Sequence, residues 1–300
     1  MFYKIRVNSW SEAVSIYNLI SLKSPIWAFR GQANSDWSLK TTFEREGERH
    51  KLDPYYYKIC ESNILTDFKR QAYQYVQNLP DKEELIDWLA FIQHFGGPTR
   101  LLDFTYSFYV AAFFAIQSLS DESAIWSINI NYLINQNETF STQIQKIGYR
   151  KIISAYVSAA NDNIKAKQNF NQKGAAAGVY IVEPFNQEQR LGIQQGLFLY
   201  PTDIEKPFHD NLSQALNTSK KNICSEELKD ISYDGLSNIN GDDLCLIKII
   251  ISEDMNYEAV NQLRNMNISD ATLFPGIDGF ARSLNFNFHD IKWSITKPRL

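Results

Sequence analysis

The sequence predicts an α+β fold, a mixed sheet core with flanking helices, on three observations. Short apolar runs recur along the chain as strands. Stretches with apolar residues at three- and four-residue steps stand between them as helices. Proline and glycine punctuate the junctions.

The elements follow in order. Residues 2–7 alternate as a short strand, and Ser9 or Ser11 caps a helix to about Leu22 with Ala13, Ile16, Tyr17 and Ile20 on one face. Pro25 ends it, and residues 26–30 form an apolar strand stopped by Gly31. A polar turn, 32–36, leads to a second extended stretch over 37–43. Apolar spacing predicts an amphipathic helix over 54–79 and another over 82–95, the latter ended by Gly96-Gly97-Pro98. Residues 101–105 read as a strand, and 109–119, apolar on every side, as a buried helix. Strands are expected at 124–130, 178–182, 197–200 and 244–252, and helices at 208–216 and 257–266, with 218–243 the most loop-like stretch.

Composition limits the function. The chain has 300 residues, 44% of them hydrophobic and 14% aromatic, enough for a large core. Lys and Arg number 30 against 34 Asp and Glu, so the net charge of −4 gives no global field for nucleic acid. The basic excess is local, over 141–174, where Lys146 to Lys173 have Tyr149, Tyr156 and Phe170 among them. Such a stretch suits RNA or a single strand, or simply a solvated helix face. Cys60, Cys224 and Cys245 form no Cys-x-x-Cys pair, which argues against a disulfide framework or four-cysteine zinc site and for a reducing, cytoplasmic setting. No apolar run reaches the roughly 20 residues of a membrane span, so no membrane partner is expected.

Candidate chemistry falls in a few places. Phe29-Arg30-Gly31-Gln32 delivers a guanidinium at a strand end beside a residue without a side chain, a geometry suited to an anion. From Gln93 to Ser107, His94, Arg100 and Asp103 surround a glycine-proline bend, and Thr105 and Ser107 precede the buried helix. Each also has a structural reading: an ion pair for Arg100 with Asp103, a helix cap for Thr105 or Ser107. Gln194-Gln195-Gly196 sets two carboxamides at the mouth of a strand, able to grip a hydroxyl or to form an ordinary turn. Residues 272–280 read as an apolar packing corner. Gly-x-Gly-x-x-Gly, Gly-Lys-Ser/Thr, His-Glu-x-x-His and Gly-x-Ser-x-Gly are absent, and the four histidines are too dispersed to predict a metal site.

Phe29-Arg30-Gly31, the stretch from Gln93 to Thr105, Gln194 to Phe198 and Leu273-Phe274-Pro275-Gly276 together resemble the FRG-domain family. The resemblance implies one domain over 1–300, with a core of about 20–285 and a helical, partly basic insertion at about 131–175. A more distant similarity is to ADP-ribosyltransferases of the arginine-serine-glutamate type. There, an aromatic-Arg-Gly strand, a Thr/Ser-x-Ser/Thr strand and a glutamate-led strand build the NAD site. Phe29-Arg30-Gly31, Thr105-Tyr106-Ser107 and Gln194-Gln195 occupy the same order, with glutamine in place of glutamate.

That similarity implies a toxin-like enzyme that moves ADP-ribose from NAD, its substrate, to RNA, DNA or protein in bacterial phage defence, with an inhibitor protein as partner. Arg30 would clamp the pyrophosphate with Phe29, Gly31, Gln32 and Arg100 around it. Thr105 or Ser107 would form the wall, Gln195 or Glu183 would hold the ribose with Gln194 among the cofactor-binding residues, and His94 with Asp103 would serve the acceptor. Two alternatives accompany it: a nucleotide-sensing or partner-binding module without catalysis, and an NAD glycohydrolase.

Overall fold

A computed structural model describes residues 2–117, 122–137, 148–167, 176–185, 189–217, 228–288 and 291. Its centre is a sheet of eight strands: β1 (Phe2–Val7), β2 (Trp27–Gln32), β3 (Leu102–Thr105), β4 (Glu122–Asn129), β5 (Val179–Val182), β6 (Gly196–Pro201), β7 (Lys229–Asp230) and β8 (Leu246–Ser252). The order across the sheet is β5-β6-β3-β2-β4-β8-β1-β7. β1 runs parallel to β7 and β8, and the other pairs are antiparallel, so the sheet is mixed.

Side-chain alternation divides the sheet into two faces. Trp27 and Phe29 of β2 enter one core with α1 (Trp10–Lys23), α5 (Phe108–Ala115) and α11 (Asn256–Asn265). Ala28 faces the opposite core, which holds Trp126 and Ile128 of β4 beside α6 (Ile130–Gln136), α7 (Tyr149–Lys167) and α9 (Phe208–Ala215). β4 and β8 are therefore covered on both sides, which is why nearly every residue of each is buried and β8 reads as an almost unbroken apolar run. A third cluster joins α3 (Tyr57–Gln71) and α4 (Leu85–His94) to Val182, Phe198 and Tyr200 at the β5-β6 edge.

Local signals set the helices. Ser9 caps α1 by accepting from the Glu12 amide, and Ala13, Ile16 and Ile20 fall on its buried face. Ser107 does the same for α5 through Val110, and that helix buries nearly every side. Gly31 lies against α5 so closely that a Cβ there would come 2.0 Å from the Ala111 carbonyl oxygen. Close packing of strand on helix requires this glycine.

Several elements differ from the sequence reading. Residues 37–43 are not a strand: after a turn they lead into α2 (Thr42–Arg49), opened by a capping box between Thr41 and Glu44. Only Phe43 and Gly47 of α2 are buried, so its apolar periodicity was too weak to announce it. The helix expected over 54–79 gives way at Gln71 to a 3-10 turn, and Gln32 closes β2 rather than opening the turn. In the loop-like stretch stand β7 and α10 (Tyr233–Ser237), while 218–227, including Cys224, lies outside the described residues. The apolar corner is built from α12 (Asp270–Leu273) and α13 (Ile277–Ser283), with Leu273 and Phe274 buried. One short helix, α8 (Gln189–Ile193), precedes β6. Among the described residues no helix is long and apolar enough to cross a membrane, and no group of three or more His, Cys, Asp or Glu is placed to hold a metal ion.

Candidate functional site

β2 pairs with β4 along its whole length and β3 pairs with β6 along its whole length, yet β2 and β3 share only the position Phe29↔Thr105. Past that position the two strands part. A cleft of about 1470 Å³ opens at this fork, lined by Arg30, Gly31 and Gln32 of β2, Asp103 and Thr105 of β3, and Gln194 and Gly196 at the start of β6. His94, at the end of α4, completes one wall.

Arg30 spans the fork. Its Nη1 donates to the Asp103 carbonyl at 2.8 Å and lies 3.8 Å from the Asp103 carboxylate, while its Nε, buried in the cleft wall, has no hydrogen-bond partner. Burial lowers the guanidinium's pKa, Asp103 opposes the shift, and the nearby Arg45 adds to it. Asp103 itself is 61% exposed by side chain, so it does not seal the arginine from solvent. An incoming anion would meet a cation whose own carboxylate partner is loosely held and hydrated.

Thr105 acts as a brace. Its hydroxyl donates to the Gln194 carbonyl at 2.6 Å and accepts from the Ser107 amide, fastening β3 to the turn before β6. The Gln194 side chain donates to the Leu273 carbonyl, which ties the same turn to the apolar corner. Gln32 is buried, accepting from the Trp126 indole at 2.7 Å and donating to Ser38, and so fixes both ends of the 33–38 turn. The Phe29 ring packs in the first core against Tyr17 and Phe108.

Four of the expected site residues do not line the cleft. Arg100 is 1% exposed and forms a two-armed ion pair with Glu61, with Tyr200 accepting a further bond; it holds α3 to β6 rather than meeting a ligand. Burial pulls its pKa down, but Glu61 and Tyr200 more than reverse this, so Arg100 stays charged. Ser107 is spent on the cap of α5. Gln195 occupies the left-handed region at φ 50° and is exposed at the turn, with Gln194 rather than Gln195 reaching the cleft. Glu183 accepts from the Tyr106 hydroxyl at 2.6 Å, and Tyr106 is also bonded to Tyr149. Burial holds both phenols well above their ordinary pKa, so they stay protonated.

The basic stretch also changes character. Tyr156 is fully buried and Tyr149 is engaged with Tyr106, so neither offers a stacking face, although Arg150 and Lys151 are exposed on α7. Lys165 pairs with Glu83, and Lys146, Phe170 and Lys173 lie outside the described residues.

Among the cleft residues absent from the expected site are Trp37, Arg45 and Arg190, the last heading the stretch that leads to Gln194. Arg45 follows the Thr41-Glu44 capping box, a signal visible in the sequence. Arg190 stacks its guanidinium 4.5 Å from the Phe274 ring centroid, a contact across distant segments that no local pattern encodes.

Fold and site together define a mixed-sheet α+β domain with a cation-bearing cleft at a strand fork. Residues 25–124 match the FRG domain family. The matched segment carries β2 and β3, hence both arms of the fork, together with His94; the Gln194 turn lies beyond it. Searches of curated proteins and of solved structures each found no match.

Proposed function

We propose that this protein is a toxin-like ADP-ribosyltransferase that takes ADP-ribose from NAD and passes it to a macromolecule, in bacterial phage defence and under an inhibitor protein. One observation carries the reading: Arg30, with a buried Nε lacking a partner, stands at a fork flanked by Asp103, Thr105, His94 and Gln194. The three strands that the distant similarity requires, β2, β3 and β6, are consecutive neighbours in the sheet.

In this reading the Arg30 guanidinium binds the pyrophosphate, and Gln194 lies where the nicotinamide ribose would be held. Cleavage of the bond between nicotinamide and ribose builds positive charge on the sugar, and a carboxylate nearby lowers that barrier. In this reading Asp103 takes that part, since it is the carboxylate beside Arg30 in the cleft, whereas Glu183 does not line it. His94, exposed at the wall, is in this reading the group that takes a proton from the acceptor nucleophile.

A second reading, a nucleotide-binding module without turnover, is favoured by one fact: Glu183 is committed to Tyr106, and Gln194-Gln195 bring no carboxylate to the start of β6. Purified protein incubated with NAD labelled in the adenylate, beside separate RNA, DNA and protein pools, separates the readings. Transfer to one pool that disappears in Arg30→Ala supports the enzyme. Free nicotinamide without transfer indicates hydrolysis, and NAD binding without turnover indicates the module.

A further inference from the structure

Among the described tryptophans, Trp10, Trp27, Trp88 and Trp126 are buried, whereas Trp37 is 57% exposed and lines the cleft. Leaving an indole in water forfeits a large burial energy, and the usual excuse, a slack loop, does not apply here. The turn that carries it is clamped from below. Gln32 bonds the Ser38 carbonyl, the Ser35 amide donates to the Glu122 carbonyl at 2.9 Å, and the buried Lys248 ammonium of β8 donates to the Ser35 carbonyl while lying over the Trp126 ring. The chain thus holds an aromatic face steady at the rim.

The clamp also fixes the side on which that face stands. Ser35 is tied to β4 and β8, on the side of β2 away from β3 and β6, so in the order of the sheet β2 with its Arg30 stands between the strands that hold Trp37's turn and β6, which Gln194 precedes. At the paired position, where Phe29 faces Thr105 and Thr105 faces Gly196, the usual spacing of about 4.8 Å puts β2 and β6 roughly 10 Å apart, and beyond it the fork widens. Arg45, exposed and donating its guanidinium to the Lys40 carbonyl, lines the same cleft.

We propose that Trp37, with Arg45 of the same cleft wall, is the subsite for the adenine ring of the bound dinucleotide. The inference rests on the NAD reading: with the pyrophosphate on Arg30 and the nicotinamide ribose toward Gln194, the other half of the ligand extends toward the indole. A planar purine stacks on an indole face, and a guanidinium adds attraction to ring or phosphate.

The test is equilibrium binding of ADP, nicotinamide mononucleotide and inorganic pyrophosphate to the wild type, Trp37→Ala, Trp37→Phe and Arg30→Ala. Loss of one stacked base predicts ADP binding weakened about 5- to 150-fold in Trp37→Ala and within about threefold of wild type in Trp37→Phe. Pyrophosphate and nicotinamide mononucleotide bind Trp37→Ala as they bind the wild type. ADP affinity unchanged in Trp37→Ala, or a loss confined to nicotinamide mononucleotide, overturns the assignment while leaving the NAD reading standing if Arg30→Ala still abolishes binding. ADP binding that depends on Trp37 in a protein with no NAD turnover keeps the subsite and defeats the transferase. A wild type that binds none of the three overturns both.

Discussion

Arg30 and Asp103 meet twice, once through a 2.8 Å bond from the guanidinium to the Asp103 carbonyl and once through a 3.8 Å approach to its carboxylate. The first contact depends on the backbone of β3 and survives substitution of the Asp103 side chain. The second is a partly hydrated ion pair in the cleft. Asp103→Asn is therefore expected to leave NAD affinity within about threefold and to lower transfer about 100-fold, the scale of losing one electrostatic group at a transition state. Transfer rates of Asp103→Asn equal to those of the wild type would remove Asp103 from the chemistry.

Gly31 reports on the packing behind the site. A Cβ there would meet the Ala111 carbonyl oxygen at 2.0 Å and the Ala115 amide nitrogen at 2.6 Å, both backbone atoms of a buried helix that cannot swing aside. Gly31→Ala is expected to cost about 3 kcal/mol or more of stability through overpacking. Urea unfolding measures it, and an unchanged midpoint would mean that α5 can withdraw from β2.

Glu61 and Arg100 form a buried ion pair. Glu61→Gln leaves the guanidinium buried without its counter-charge, and an expected loss of about 3–5 kcal/mol follows. Removing both partners together, as Glu61→Met with Arg100→Met, is expected to cost less than the single change. A double variant less stable than Glu61→Gln would contradict this account.

Lys248 gives a pH signature. Burial lowers its pKa to about 8, with Asp36 opposing and Lys4 adding to the shift. Below that pH the side chain is charged both folded and unfolded, and burying the charge weakens the fold. From about 8 up to the ordinary lysine value the unfolded chain binds the extra proton, so the wild type gains stability relative to Lys248→Met as pH rises. Denaturation of both proteins at pH 7 and pH 10 reads the difference, and parallel curves would show that this ammonium is well solvated.

The sequence by itself determined every strand but β7 and the principal buried helix, though it also suggested a strand over 37–43 where none forms. β2, β4, β8 and α5 are runs whose period and hydrophobicity leave little choice, and the glycine-proline bend after α4 ends that helix wherever the rest of the chain goes. It also determined that Arg30 ends up beside Gly31 at the close of a buried strand.

Tertiary structure alone decided which of the polar residues face the cleft. Asp103 and Arg100 lie three residues apart and looked equally reactive, but Arg100 turns into the interior because Glu61, thirty-nine residues earlier, waits there as its partner. Glu183 is taken by Tyr106, and Trp37 reaches the rim because Lys248 and Glu122, from strands distant in sequence, hold its turn. A charged or aromatic side chain faces a cavity or a core according to what partner the folded chain brings to it, and that partner has no fixed spacing along the sequence.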